Sequence, residues 1–422
     1  MPARAPFDIL NELFETTVRA ADPMTILPAL LGPRPAGRLL VIGAGKASAR
    51  MAEAVESVWG PCEGLVITRY GYVRPCAGIE IAEAGHPVPD EAGVRATRRI
   101  LDMLRECGPN DHILNLISGG GSALLVAPAG EISLAEKQAL THTLLASGVA
   151  IDKINLVRKH LSRVKGGQLA AAAFPAPITT LMISDVAGDD PASIASGPTV
   201  GDRSVAADVR AILESIKADI PASVAAVLAG ETGVLAPDDP RLSRVTNRIV
   251  ASPAQSLSAA AARARNYGID VRLLGDAIEG EARDVGREQA RLALELQREM
   301  TPEDAPLLLL SGGECTVTRR GGGIGGPNAE LLLSALLTLE GARGIFAIAC
   351  DTDGVDGAAE VAGAVIGPDT LKQAAAAGLD PSACLDDNDS HRFFAGVGAQ
   401  VIPGPTFTNV NDFRAFLITA PE

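Results

Sequence analysis

Short, predominantly apolar stretches recur along the chain at residues 39–42, 65–67, 113–117, 181–183, 271–274, 307–310 and 345–349, interrupted only at Asn115 and Arg272, and helix-like stretches separate most of them. A strand with one face in water alternates apolar and polar residues; these do not, so both faces need covering. That requirement predicts parallel strands flanked by helices, an α/β fold. Ala47, Met51, Ala54, Val55 and Val58 fall on one stripe at the helical period, with Arg50, Glu53 and Glu56 opposite. Ser252-Pro253 predicts another helix start, by a capping serine and a first-turn proline, with Leu257, Ala260, Ala261 and Ala264 on its buried side. Between the halves, the polar, turn-rich stretch 230–240 reads as a boundary. The expected organisation is a larger Rossmann-like parallel-sheet domain over residues 1–240 and a smaller α/β domain over 241–422.

Glycines gather where these strands end, in Gly43-Ala44-Gly45-Lys46, Ser118-Gly119-Gly120-Gly121-Ser122, Asp185-Val186-Ala187-Gly188-Asp189-Asp190, Ser311-Gly312-Gly313-Glu314 and Asp351-Thr352-Asp353-Gly354. Ligands of open α/β sheets bind outside the carboxyl ends of the strands, so these loops predict one ligand cleft. At Gly43, Gly45 and Lys46, free N–H groups at a helix start, the positive end of its dipole and a lysine all favour an anion. The loop is not a P-loop, since Leu40 and Ala47 stand where glycine and a hydroxyl residue are required. Nor does it complete a dinucleotide fingerprint: Ser48 replaces the third glycine, and the next strand runs into Thr68 and Arg69 instead of an acid.

The glycines of 118–122 let successive N–H groups converge on one phosphate, although a tight turn alone would use them too. Neither serine has a nucleophile elbow around it. Asp185, Asp189 and Asp190 offer hard oxygens suited to Mg²⁺, with Asp185 alternatively removing a substrate proton and Asp189-Asp190-Pro191 alternatively capping a helix. Residues 351–357 imitate a calcium loop, but Ala362 stands where its bidentate glutamate belongs, so calcium is rejected. In residues 155–167, Arg158, Lys159, Arg163, Lys165 and His160 crowd into a short span, either as a solvated face or as a clamp for phosphate and carboxylate.

A net charge of −14 and 3% aromatic residues argue against nucleic acid as a partner. No uninterrupted apolar run reaches the roughly eighteen residues of a membrane span, and the first residues lack a leader's apolar core, so no membrane and a cytoplasmic location are expected. Six scattered cysteines without C-x-x-C spacing read as free thiols.

Taken together, residues 41–47, Gly85-His86-Pro87-Val88-Pro89-Asp90, 118–124, Lys159-His160-Leu161-Ser162, Lys165-Gly166-Gly167 and the stretch from Ser184-Asp185-Val186 through Ser196-Gly197-Pro198-Thr199 resemble the N-terminal domain of the MOFRL-type glycerate 2-kinases. Ser311-Gly312-Gly313-Glu314, 351–357, Asn388-Asp389-Ser390 and Thr408-Asn409-Val410-Asn411-Asp412 resemble the family's C-terminal MOFRL domain. The resemblance implies ATP-dependent phosphorylation of D-glycerate at the 2-hydroxyl, with Lys46 in the active site between the domains. In that scheme Lys46 and the glycine loops (Gly43, Gly45, Ser118, Gly119, Gly120, Gly121, Ser122, Gly312, Gly313, with Glu314) hold ATP, and Asp185 orients the hydroxyl. Asp189 and Asp353 approach Mg²⁺; Arg158, Lys165 and Asn409 face the substrate. Some members carry the older name hydroxypyruvate reductase, so an NAD(P)H-dependent reductase is the alternative reading, and a non-catalytic anion binder a second. A homo-oligomer is compatible with the sequence, which does not distinguish the 2-hydroxyl from the 3-hydroxyl. One departure stands out: where the family often has arginine in its second-domain glycine loop, this chain reads Gly323-Ile324-Gly325-Gly326-Pro327-Asn328, leaving Arg319 or Arg320 as substitutes.

Overall fold

The computed structural model describes residues 4–357 and 359–421. They form two compact units: a first from Pro23 to Val250, and a second that joins the residues up to Asp22 to those from Ala251 onward. A single cut at residue 240 therefore misses two elements. Strand Val245–Ala251 completes the first sheet. Helix Pro6–Ala20 buries Leu10, Leu13 and Phe14 against Leu257, Ala260, Phe413 and Leu417 of the second unit.

The first sheet contains β1 (Leu39–Ala44), β2 (Glu63–Arg69), β3 (Ile79–Ala84), β4 (His112–Ile117), β5 (Ile178–Ile183) and β6 (Val245–Ala251), in the order β3-β2-β1-β4-β5-β6. β1 to β5 pair in parallel. Every residue of β1 is buried, as its unbroken apolar run demands. The order reverses between β1 and β4, the place where such sheets open a crevice. Helix Ser48–Trp59 follows β1 and buries Met51, Ala54 and Val55, while Val58, assigned to the same stripe, is 39% exposed.

The second unit holds β7 (Asp270–Gly275), the short β8 (Gly280–Glu281), β9 (Leu307–Gly313), the short β10 (Cys315–Thr316), β11 (Ile345–Asp351), β12 (Gly363–Ile366), β13 (Gln400–Val401) and β14 (Asp412–Ile418). Its six-stranded sheet has the order β13-β12-β11-β14-β9-β7 and is mixed, not parallel. β14 lies antiparallel between β9 and β11, β7 and β9 pair in parallel, and β8 and β10 form a separate parallel pair. Nor is β7 covered on both faces: it is an edge strand with Leu273 48% exposed. The helix predicted from Ser252-Pro253 spans Pro253–Arg265 with the expected buried residues, although the Ser252 side chain makes no capping bond.

Candidate functional site

In the first unit the turns after β1 and β4 are stapled together. Ser118 N–H donates to Ala44 O at 3.3 Å, Lys46 N–H to Gly119 O at 2.8 Å, and Ala47 N–H to the buried Ser118 Oγ at 2.9 Å. Gly45 has φ +151°, and a Cβ there would meet Ser118 Oγ at 2.1 Å; one at Gly43 would meet Leu116 O at 2.2 Å. These two glycines thus let the strands approach closely. The expectation of free N–H groups at the helix start is corrected, because Lys46, Ala47 and Ser48 all spend theirs inside the chain. What this turn leaves for a ligand is the half-buried Lys46 side chain and the neighbouring loop. Backbone bonds there use the N–H groups of Ser118, Gly121 and Ala123, and among the described residues none uses those of Gly119 or Gly120.

Gly120, at φ +79°, is flanked by two side chains. A Cβ on it would lie 2.9 Å from His86 Nε2 and 3.3 Å from Lys46 Cγ. His86, absent from the expected site, therefore belongs beside Lys46 and the glycine turn; its only sequence signal is the Gly85-His86-Pro87 motif. Asp185 is half-buried two residues beyond β5, the strand next to β4. Asp189 sits at φ +53° with Oδ1 buried and without a hydrogen-bond partner, whereas Asp190 caps the following turn through Ala192 N–H (3.0 Å) and Ser193 Oγ (2.8 Å). An acceptor orphaned in this way fits a cation. No group of three or more His, Cys, Asp or Glu side chains able to hold a metal occurs among the described residues, so any Mg²⁺ here would rest on one or two carboxylates plus water and phosphate.

The basic segment divides. Lys159 is paired with Asp202 at 2.5 Å, His160 is buried between Thr232 and Ser204, and Arg163 is exposed. Arg158 is half-buried and donates to Asn155 Oδ1 at 3.4 Å. Asn155 Oδ1 also accepts from Ser196 Oγ (3.3 Å), which lies 2.7 Å from Ser122 Oγ beside the glycine turn. Lys165 is fully buried with Nζ on Leu125 O at 3.1 Å, beyond a substrate's direct reach.

In the second unit the register sets Asp412 opposite both Asp351 and Gly313. Many polar groups here are used internally, while buried Asn328 Oδ1, Ser390 Oγ, His391 Nδ1 and Arg414 Nε have no hydrogen-bond partner among the described residues. Arg414 binds Asp412 at 2.5 Å and Gly313 O at 3.1 Å, and a Cβ on Gly313 would strike Ile278 at 2.3 Å, so this glycine serves packing. Glu314 is exposed. Buried Asp353 accepts from Val355 N–H at 2.8 Å, and buried Asn409 from Asn411 N–H at 3.2 Å. Asp356 caps helix Pro327–Leu339 from a distance, accepting the Asn328 and Ala329 N–H groups at 2.9 Å each. Burial pushes its carboxyl up to about 7; those two N–H groups oppose the shift and nearby Asp412 adds to it. Asn328 Nδ2 ties Asp412 into the same cluster at 2.7 Å.

The glycine loop with the missing arginines is pinned by the 387–389 segment. Arg320 and Gly321 N–H groups donate to Asn388 Oδ1, Gly322 N–H to Asp387 Oδ1 and Ile324 N–H to Asp389 Oδ1. Cβ atoms on Gly321 and Gly323 would lie 2.3 and 2.4 Å from Asp387 and Asp389. Arg319 folds back onto Gly323 O at 3.0 Å, Arg320 is exposed, and the Ile324 side chain is 57% exposed.

The model of a domain of unknown function (DUF4147) matches residues 9–229, and that of the MOFRL family matches residues 307–412. A protein of Agrobacterium vitis, provisionally named a hydroxypyruvate reductase, is 48% identical over 97% of this chain and 94% of its own length. The D-glycerate 2-kinase of Thermotoga maritima is 38% identical over 96% of this chain and 97% of its own. The crystal structure of glycerate kinase from Thermotoga maritima superposes with a TM-score of 0.86, covering 98% of this chain and 99% of that one at 38% identity.

Proposed function

The chain belongs to the glycerate kinase family that carries the MOFRL domain, and from that premise we propose that it transfers the γ-phosphoryl group of ATP to the 2-hydroxyl of D-glycerate, releasing ADP and 2-phosphoglycerate. The observation that carries the reading is the turn where the first sheet reverses: the Lys46 side chain, the uncommitted N–H groups of Gly119 and Gly120, and His86 converge there. Phosphoryl transfer asks a protein to hold its two anionic reactants in line and to neutralise charge on the transferred group. Lys46 supplies that charge and the 119–120 N–H groups cradle phosphate oxygens. Asp185 accepts a hydrogen bond from the glycerate hydroxyl and orients it. Asp189, for its orphaned buried oxygen, would hold Mg²⁺, which would supply charge neutralisation for the transferred phosphoryl group, and Asp353 is the candidate ligand in the second unit. Arg158 takes the substrate carboxylate.

The reductase reading has a name among the relatives, but the pyrophosphate seat that a dinucleotide uses, the N–H groups at the first helix start, is filled by Gly119 O and Ser118 Oγ. ADP release over a panel of small hydroxy acids, with the phosphorylated carbon assigned by NMR, tests the proposal. ADP formed with D-glycerate and phosphate on carbon 2 is the expected result; nicotinamide oxidation with hydroxypyruvate and no ADP release would replace it with the reductase.

A further inference from the structure

Residues 125–129 and 161–165 run side by side in opposite directions, joined by the bridge between Pro128 and Ser162 and by Ala129 N–H on Leu161 O and Arg163 N–H on Ala127 O. An ammonium group is held at each end of this pair. Lys137, from helix Leu134–Ala146, donates to Leu161 O at 3.2 Å; Lys165 donates to Leu125 O. Lys137 is 7% exposed and Lys165 0%. The half-buried Arg158, on helix Ile151–His160, acts on both. Burial brings Lys137 down to about 8, with Arg158 adding to the effect, and takes Lys165 well below its usual range, with Lys137 and Arg158 adding to it. Among the described residues none of the three is in an ion pair, although Lys159, close by in sequence, is held by Asp202.

Burial and mutual repulsion disfavour charge on the two amines, and a fold that only needed packing would use methionine or leucine here; an anion held beside them at Arg158 favours their protonated forms and so restores the field. The cluster also has an outlet. From Arg158 the hydrogen bonds run through Asn155 and Ser196 to Ser122 at the glycine turn, and Ser196 on that route and Ala195 next to it hold φ values of +61° and +52°, backbone conformations that are strained for residues other than glycine.

We infer that Lys137, Lys165 and Arg158 together form the receptor for the substrate's carboxylate: Arg158 makes the contact, and the two lysines, which the substrate does not touch, are positioning residues whose field selects an anion. The inference rests on D-glycerate being the acceptor. It explains how a chain of net charge −14 recruits a small acid and predicts discrimination by charge at constant shape, D-glycerate against its uncharged amide.

The test uses the full-length protein with Lys137→Met and Lys165→Met, which remove charge but keep volume. The expected result is a KM for D-glycerate raised about tenfold or more, a KM for ATP changed less than about twofold, and a calorimetric preference for the acid over the amide that falls by a similar factor. A folded Lys137→Met protein with an unchanged KM for D-glycerate, or equal losses for acid and amide, overturns the inference in favour of a structural role. If both variants fail to fold, the wild-type protein decides by calorimetry, since equal affinity for acid and amide overturns it and a marked preference for the acid supports it. Wild-type protein that does not phosphorylate D-glycerate defeats the functional reading instead, and the same acid-to-amide comparison still judges the cluster.

Discussion

The loops after β1, β4 and β5 in the first unit and after β9 and β11 in the second are alike in being rich in glycine and in aspartate or serine, but they are used differently. In the second unit the charges are consumed internally. Asp356 caps a helix, Asp412 holds Arg414, Glu330 is gripped by Arg283 and Asn388, and the 387–389 segment pins the glycine loop before Pro327. In the first unit Lys137, Arg158 and Lys165 are buried or half-buried with no ion pair among the described residues, and Asp189 keeps an orphaned oxygen. A cluster of polar residues therefore points to a ligand only after internal partners have been counted; by that measure the carboxylates of these second-unit loops are committed, although buried Asn328 Oδ1, Ser390 Oγ, His391 Nδ1 and Arg414 Nε keep no hydrogen-bond partner among the described residues.

Removing the metal should give the largest effect. With carboxylates few and an orphaned oxygen at Asp189, chelation with EDTA is expected to abolish phosphoryl transfer, and added Mg²⁺ to restore it. Full activity in metal-free buffer would remove Asp189 and Asp353 from the mechanism and take away one half of the contrast. Next comes Lys46→Ala, for which we expect turnover to fall about a hundredfold, roughly 3 kcal/mol of transition-state stabilisation, with little change in thermal stability. Turnover close to wild type in the folded variant would mean that the first-sheet turn is not the phosphate site.

Asp356→Ala should show the reverse pattern. It strands the buried Asn328 and Ala329 N–H groups, a loss of about 2 to 3 kcal/mol of stability read by denaturant unfolding. The pH dependence carries a definite sign. The folded carboxyl titrates at about 7 against 3.8 in the unfolded chain, so between those values the folded state holds a proton that the unfolded state has released. Wild-type stability should fall as pH rises through that window by up to a few kcal/mol, and Asp356→Asn should flatten the slope. An identical slope in the variant would assign the titration elsewhere.

How far such contrasts can be read from sequence depends on where the partners lie. Apolar runs located β1, β2, β4, β5, β9 and β11 because burial on both faces leaves a nearly continuous signature, broken in β4 only at the buried Asn115. β14 escaped because Asp412 and Arg414 stand within it, each buried by pairing with the other. β3 and β6 were hidden by partly exposed faces, and helix Pro6–Ala20 by packing against residues more than two hundred positions away. The loops were visible as glycine clusters, but the ownership of their N–H groups was not: Ala47 donates to Ser118, seventy-one residues on. Lys137 had no local signal, since a lysine on a helix ordinarily faces water.

The smallest expected effect tests the second unit's loop. Ile324 is 57% exposed, and its backbone is fixed at both groups, N–H on Asp389 Oδ1 at 3.1 Å and O under His391 N–H at 3.1 Å, so Ile324→Arg should leave the loop's shape unchanged. A guanidinium brought to a phosphate oxygen gains a charge-assisted hydrogen bond, but Asp387 and Asp389 beside the loop compete for it and the long side chain must be ordered. The net gain should be roughly 0.5 to 1 kcal/mol, a two- to fivefold lower KM for ATP. Arg319 already spends its guanidinium on Gly323 O, so the exposed Arg320 is the better placed substitute, and Arg320→Ala should raise the KM for ATP by a comparable factor while Arg319→Ala acts mainly on stability. If Ile324→Arg and Arg320→Ala both leave ATP kinetics unchanged, this loop does not touch phosphate, and the proposed phosphate contacts rest on the turn of the first sheet alone.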